Sequence, residues 1–286
     1  MREMVNPKGL GLMAVVLAKG WTQPVVFTRP PPSISAEQLA LFPRSTLIEL
    51  PTRATADIYK YVQADNKRYY YLKLDKDGRY ARANEWLCYR LANLVGVSTP
   101  RCDFIQTFNG DIASGSEGVV GAASEIDTFL YLQTHSMNEI GQPIAGLQER
   151  LSAIHTFDLF INNVDRHMRN FLVLGAGDER QLIAMDFARS LFWKWPLDGF
   201  PSPGEETGKT WIELRERHGF DLGAARLVLD RLSMIGEIQL APIVSQMPSH
   251  WLPIELQEAL LAYCREGRWK ARVAALRRGL ESGSIV

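Results

Sequence analysis

Asn162-Asn163-Val164-Asp165-Arg166-His167-Met168-Arg169-Asn170, followed by Ala184-Met185-Asp186-Phe187-Ala188, is the part of this 286-residue chain whose reading decides the fold. Upstream, residues 147–162 (LQERLSAIHTFDLFIN) repeat apolar groups at helical spacing, so Asp165 and Asn170 fall in the loop after a long helix. Downstream, 171–174 and 181–185 read as a small hairpin around Gly175-Ala176-Gly177. If those strands pair, Asn170 and Asp186 become neighbours at one end of the hairpin. A carboxylate beside an amide oxygen, with a second carboxylate nearby, suits a hard cation such as magnesium, which keeps waters and shares ligands with substrate phosphates.

Toward the amino terminus the period changes to two. Residues 45–50, 58–63 and 68–74 are rich in Ile, Val, Tyr and Leu and are separated by polar clusters, which predicts three antiparallel strands. Residues 102–108 and 117–123 are shorter apolar runs that would complete the sheet. Between them, 85–95 (EWLCYRLANLV) has helical spacing, with Gly96 as its C-cap. Lys73 lies inside the strand Tyr69-Tyr70-Tyr71-Leu72-Lys73-Leu74, where an ammonium group on an apolar face is costly unless paired. Glu85, opening the next helix, is the natural partner.

Toward the carboxyl terminus, residues 196–210 hold three prolines and three glycines and read as a loop. Helices are expected at 222–236, 253–266 and 269–281. Arg268, Lys270, Arg272, Arg277 and Arg278 make a solvated basic face on the last of these. His155 and Asp158 read as core or supporting residues, and Arg166 as a brace for the loop with His167 packed beneath it. Trp193 and Trp195 read as core or the floor of a substrate groove. The fold class is therefore α+β, with a small antiparallel-sheet lobe carrying one helix and a mostly helical second lobe. The expected divisions are an extension at 1–44, the strand-rich lobe at 45–125 and the helical lobe at 126–286. The extension holds the linker Arg29-Pro30-Pro31-Pro32 and a short helix opened by a Ser35/Gln38 capping box.

Composition narrows the function. Hydrophobic residues make up 46% and charged residues 22%, and 32 basic residues balance 32 acidic ones. A global basic field is missing, so direct nucleic-acid binding is not expected. Cys88, Cys102 and Cys264 form no paired motif and read as reduced, packed thiols. The apolar run 10–18 is too short to span a bilayer and lacks a small-x-small cleavage site, which predicts a packed segment, no transmembrane span and a cytoplasmic location.

A strand lysine, a helix glutamate, a D-x-x-x-x-N loop and a D-F turn in that order form the kinase layout. The run N-x-D-R-H-x-x-N, then a hairpin, then a D-F turn resembles the HipA-like kinases and, more distantly, the type II phosphatidylinositol kinases. The resemblance implies a bilobal protein-kinase-like fold using ATP and Mg2+, with Asp165 as catalytic base and Asn170 and Asp186 as metal ligands. It implies that Lys73 contacts the α- and β-phosphates and that Glu85 fixes Lys73. The turn Pro51-Thr52-Arg53-Ala54-Thr55-Ala56-Asp57 has no glycine, so Thr52 or Thr55 would meet phosphate through a hydroxyl or backbone N–H. Ala122–Ile126 falls where a hinge between lobes belongs, which assigns the backbone of Glu125 and Ile126 to the adenine edge. A protein Ser/Thr substrate, autophosphorylation and an antitoxin-type or regulatory partner, as in a toxin–antitoxin pair, are the corresponding expectations. The competing readings are a lipid or small-molecule kinase and a nucleotide-binding pseudokinase. A metal-dependent hydrolase is disfavoured, because His135, His155, His167, His218 and His250 are dispersed.

Overall fold

Alternation along Tyr69-Tyr70-Tyr71-Leu72-Lys73 gives this segment two faces: Tyr70 and Leu72 are wholly buried, while Tyr69 and Tyr71 are partly open. The computed structural model describes residues 43–51, 60–75, 79–134, 144, 146–175 and 180–285, all within one compact unit, Ser35–Val286. The predicted segments at 10–18, 29–32 and 35–38, together with Thr52 and Thr55, lie outside the described residues.

Five strands, β1 (Arg44–Leu50), β2 (Lys60–Ala64), β3 (Tyr69–Lys73), β4 (Cys102–Gln106) and β5 (Ile112–Glu117), close into a barrel in the order β1-β2-β3-β5-β4. All pairings are antiparallel except that of β1 with β4, where Arg44 and Ser45 pair in parallel with Ile105 and Gln106. The expected antiparallel sheet is corrected accordingly: the β1–β4 pairing joins its edges and leaves none open. Val62, Ala64, Tyr70, Leu72, Ile105 and Ala113 fill the interior. The strand expected at 117–123 is also displaced, since β5 ends at Glu117. Its sequence, IASGSE, hides the strand because Gly, Ala and Glu score poorly for β structure. Gly115 is needed there, because a Cβ would strike the Ile105 side chain.

Helix α1 (Ala81–Val95) packs Trp86, Leu87, Leu91 and Val95 inward and ends at Gly96, in the left-handed region as predicted. Helix α2 (Glu125–Thr134) was not foreseen. Helix α3 (Leu147–Ile161) matches its prediction and runs through the core. The hairpin β6 (Phe171–Leu174) and β7 (Gln181–Ala184) also forms as predicted. Beyond it come α4 (Glu206–His218), α5 (Leu222–Ser233), α6 (Glu237–Ser245), α7 (Ile254–Arg265) and α8 (Arg268–Ser282). The predicted loop 196–210 therefore stops at Glu206. Gly208 sits inside α4 because the helix approaches the Ser202 carbonyl and Pro203 too closely for a Cβ.

The basic face expected on α8 also needs correction. Arg272 is buried, and its guanidinium donates to the carbonyls of Leu159, Phe160, Leu197 and Gly199 at 2.7–2.9 Å. Leu159 and Phe160 belong to the last turn of α3, whose carbonyls lack helical partners, so Arg272 is a cap supplied from another helix. Burial lowers its pKa to about 10. Trp269 stacks edge-on against Phe160 at 4.6 Å and donates to Leu232 O. Trp251 joins the barrel to the helices, meeting Phe104 at 5.1 Å and donating to Ile112 O. Among the described residues no helix is long and apolar enough to cross a membrane.

Candidate active site

Lys73, at the end of β3, is only 4% exposed. Its Nζ donates to Glu85 Oε1 at 2.5 Å and to Asp186 Oδ1. Glu85 stands in the second turn of α1, because that helix begins at Ala81 rather than at Glu85. The same Oε1 accepts the N–H of Phe187 at 2.7 Å, tying the helix to the turn after β7. Burial would depress the Lys73 ammonium, but Asp186 and Glu85 outweigh it and hold its pKa above the ordinary value. Burial pushes the Glu85 carboxyl up despite Lys73. Burial acts the same way on Asp186, but there the ammonium wins and holds the carboxyl low. One cation thus faces a buried and a half-buried carboxylate, a local surplus of negative charge that a further cation would offset.

The loop carrying Asp165 is built from the end of α3. Asn162 turns the chain out of the helix at φ +53°, and Asn163 Nδ2 then donates to Asp158 Oδ1 at 2.8 Å. Asn163 Oδ1 in turn accepts the Asp165 N–H at 3.2 Å. Arg166 lies beneath with no exposed side-chain surface. It forms a bidentate pair with Asp158 at 2.8 and 2.9 Å and donates to the carbonyls of Asn170 and Met185. Phe171 and Phe187 flank its guanidinium at 5.5 and 4.9 Å. Thr207, in the first turn of α4, accepts the Arg166 N–H and donates to Asn163 O. The brace expected of Arg166 is therefore observed. His167 differs from its expectation: it is half-buried and lines a cavity instead of packing beneath the loop.

Asn170 Nδ2 donates to Asp165 O at 2.8 Å, and Met185 N–H donates to Asn170 O at 3.0 Å. The hairpin register thereby sets Asn170 opposite the residue before Asp186. Asp186 itself has φ +61°, a strained conformation for a residue with a Cβ. Arg189 Nε lies 3.4 Å from Asp165 Oδ2.

Lys73, Glu85 and Asp186 line a cavity of about 460 Å³. Its roof is Tyr61, Tyr69 and Tyr71, its floor includes Met168, Phe171, Leu172 and Met185, and its back wall is Glu117–Val120 with Ala122 and Ala123. Glu125 stands on its rim and pairs with Arg169 at 2.7 Å. Ile126 is 71% exposed in the first turn of α2 and lines a neighbouring cavity of about 630 Å³ instead. The back wall thus begins earlier than the expected 122–126. Sequence spacing alone does not single out the tyrosine roof, Arg189 or Thr207, although the alternation that places Lys73 also places Tyr69 and Tyr71.

Among the described residues no group of three or more His, Cys, Asp and Glu could hold a metal. Asp186 supplies a carboxylate, and Asn170 leaves its Oδ1 once Nδ2 is committed to Asp165. Two protein oxygens suit a hard cation that takes its other ligands from water and phosphate.

Residues 59–265, well over half of the chain, match a family model described as HipA-like kinase. No curated protein matches. Several solved structures are similar at low identity. The Helicobacter pylori proinflammatory kinase CtkA is 12% identical, covers 69% of this chain and 89% of its own, and has a TM-score of 0.40. HipA of Shewanella oneidensis MR-1, solved with HipB and operator DNA, is 12% identical over 80% of this chain and 67% of that one, with a TM-score of 0.44. The Golgi casein kinase with Mn/ADP bound is 11% identical over 82% and 71%, with a TM-score of 0.41. On the family match over residues 59–265, the chain belongs to the HipA-like kinases.

Proposed function

We propose that the chain transfers the γ-phosphoryl group of ATP, with magnesium, to a Ser or Thr hydroxyl of a protein. The observation that supports this most is Lys73 buried between Glu85 and Asp186, because burying one ammonium with two carboxylates is unfavourable without a ligand to use them. In this reading the barrel lobe at 45–125 and the helical lobe at 126–286 enclose the nucleotide, with 1–44 as an extension. Lys73 holds the α- and β-phosphates, and Glu85 keeps Lys73 in place. Asn170 and Asp186 would hold magnesium, which supplies neutralisation of phosphate charge. Asp165 orients the acceptor hydroxyl and takes its proton as oxygen bonds to the γ-phosphorus and the β–γ bridging bond breaks. Thr55 and Glu125 border the nucleotide in this reading, whereas Ile126 faces the neighbouring cavity. An antitoxin-type or regulatory partner is part of this proposal.

The test is labelled ATP with magnesium and the purified full chain, alone and with protein or phosphoinositide acceptors. Label is expected on the chain itself or on protein, and Asp165→Asn is expected to reduce it by roughly 10²–10⁴. Equal labelling by Asp165→Asn sinks the assignment of the base. Transfer to phosphoinositide alone moves the acceptor class to lipids.

A further inference from the structure

The strand that carries Lys73 also carries two tyrosines on the same face. Residues two apart on a strand point the same way, so Tyr69, Tyr71 and Lys73 form one row, and all three line the same cavity. Tyr61, the direct cross-strand partner of Tyr71 on β2, completes the row. Its ring stacks on Tyr71 at 4.5 Å with 26° between planes, and on Tyr69 at 5.8 Å with 24°. Tyr69 and Tyr71 nevertheless remain 38% exposed. The ring at the Lys73 end of the stack, Tyr71, keeps one face free as a flat surface, and Met168, Phe171, Leu172 and Met185 add apolar lining to the same cavity. Such a slot suits a planar heterocycle held by its faces.

The edge of the slot offers little for reading that heterocycle. Along the back wall, the N–H of Glu117 donates to Arg101 O, that of Gly118 to Tyr69 O, that of Ala122 to Val119 O and that of Ala123 to Val173 O, at 2.7–3.3 Å. Four of the six backbone donors lining that wall are therefore committed to the protein itself, leaving Val119 and Val120. Stacking carries no edge information, because every base has a π-face.

We propose that Tyr71, backed by Tyr61, binds the nucleobase by stacking on its free face, with weak readout of the base edge, so that the protein accepts GTP nearly as well as ATP. The inference rests on the nucleotide-binding reading above and deepens it by naming what sets base selectivity. The row that delivers an ammonium group to the phosphates delivers the stacking surface to the base. Tyr69, at the outer end of the stack, supports Tyr61 from behind.

Calorimetric titration of the full chain with Mg·ATP and Mg·GTP tests this. The expected result is two dissociation constants within about 10-fold of each other. Tyr71→Ala should weaken both by a similar factor of roughly 10 or more, the usual scale for loss of one base–aromatic stack. Tyr71→Phe should retain both affinities, because the ring face is kept. A thermal melt of each variant separates misfolding from lost stacking; should Tyr71→Ala misfold, Tyr71→Leu takes its place with the same expected losses. A preference for ATP above 100-fold overturns the proposal, as does unchanged binding in correctly folded Tyr71→Ala. Failure of the wild-type chain to bind either nucleotide overturns both this inference and the nucleotide-binding reading, whereas tight, ATP-selective binding overturns this inference alone.

Discussion

An imidazole buried with a ring nitrogen left unpartnered makes a fold sensitive to acid. His155 lies inside α3 against Trp211, with ring centroids 4.4 Å apart, and its Nδ1 has no hydrogen-bond partner. Burial, aided by the charge of Arg215, lowers its pKa to about 3. The unfolded chain takes up a proton near pH 6.5 and the folded chain does not, so between these values the unfolded state holds more protons and stability falls as pH falls. Denaturant titrations should lose about 2 kcal/mol between pH 7 and pH 5 from this residue. His155→Phe should remove that part of the acid limb while keeping the packing on Trp211. An unchanged slope in the variant would place the acid sensitivity elsewhere. At this scale the sequence was informative wherever a charge stood on an apolar background: Lys73 and Glu85 were paired correctly because neither could be buried alone. Arg272 was misread for the complementary reason. Its partners are carbonyls at the end of α3 and in the 197–199 segment, and backbone acceptors leave no mark in side-chain patterning.

Elements were legible where periodicity was strong and local. Helices α1 and α3 and the β6–β7 hairpin fall within a few residues of their expected bounds, whereas α4 and α6 were missed with Gly208 in one and Pro242 in the other. Closure of the barrel was not legible either. It depends on β1 meeting β4 across about sixty residues, as the Arg44–Ile105 pairing shows, and nothing in either strand alone encodes that partner. The loop between α3 and β6 combines both cases. Its Asp and Asn residues stand out in the sequence, while nothing in the spacing of Asp158 and Arg166 marks the pair that supports them as bidentate and wholly buried. Arg166→Met leaves Asp158 as a buried charge with one remaining side-chain donor, Asn163, and should destabilise the chain by about 3–5 kcal/mol. Adding Asp158→Leu removes that stranded charge, so the double variant should recover most of the loss. Phosphoryl transfer should not recover with it, because Arg166 also ties together the carbonyls of Asn170 and Met185. Chemical denaturation and labelling assays on the same preparations separate the two effects. Parallel recovery of stability and activity would mean that the pair only supports the fold.

Taken as a molecule, the chain sets an apolar barrel and a helical body around one cavity in which negative charge exceeds positive. Glu85 and Asp186 share the single ammonium of Lys73, and Asp165 lies a short loop away. A nucleotide triphosphate brings more negative charge to this place, so binding without a divalent cation should be weak. Ligand that binds only the folded state stabilises it by about 2.7 kcal/mol at 100 times its dissociation constant. For a chain of 286 residues this corresponds to a rise in melting temperature of roughly 4–5 °C. ATP with magnesium should produce that rise, and ATP with chelator should produce little or none. Asp186→Asn gives up one of the two proposed metal ligands yet keeps an oxygen at the same place. It should lower the apo melting temperature modestly, since Lys73 retains Glu85, and it should lose most of the magnesium-dependent increment. If Asp186→Asn shows the full increment, the cation does not bind where the hairpin register joins Asn170 to Asp186, and the metal assignment moves to other oxygens.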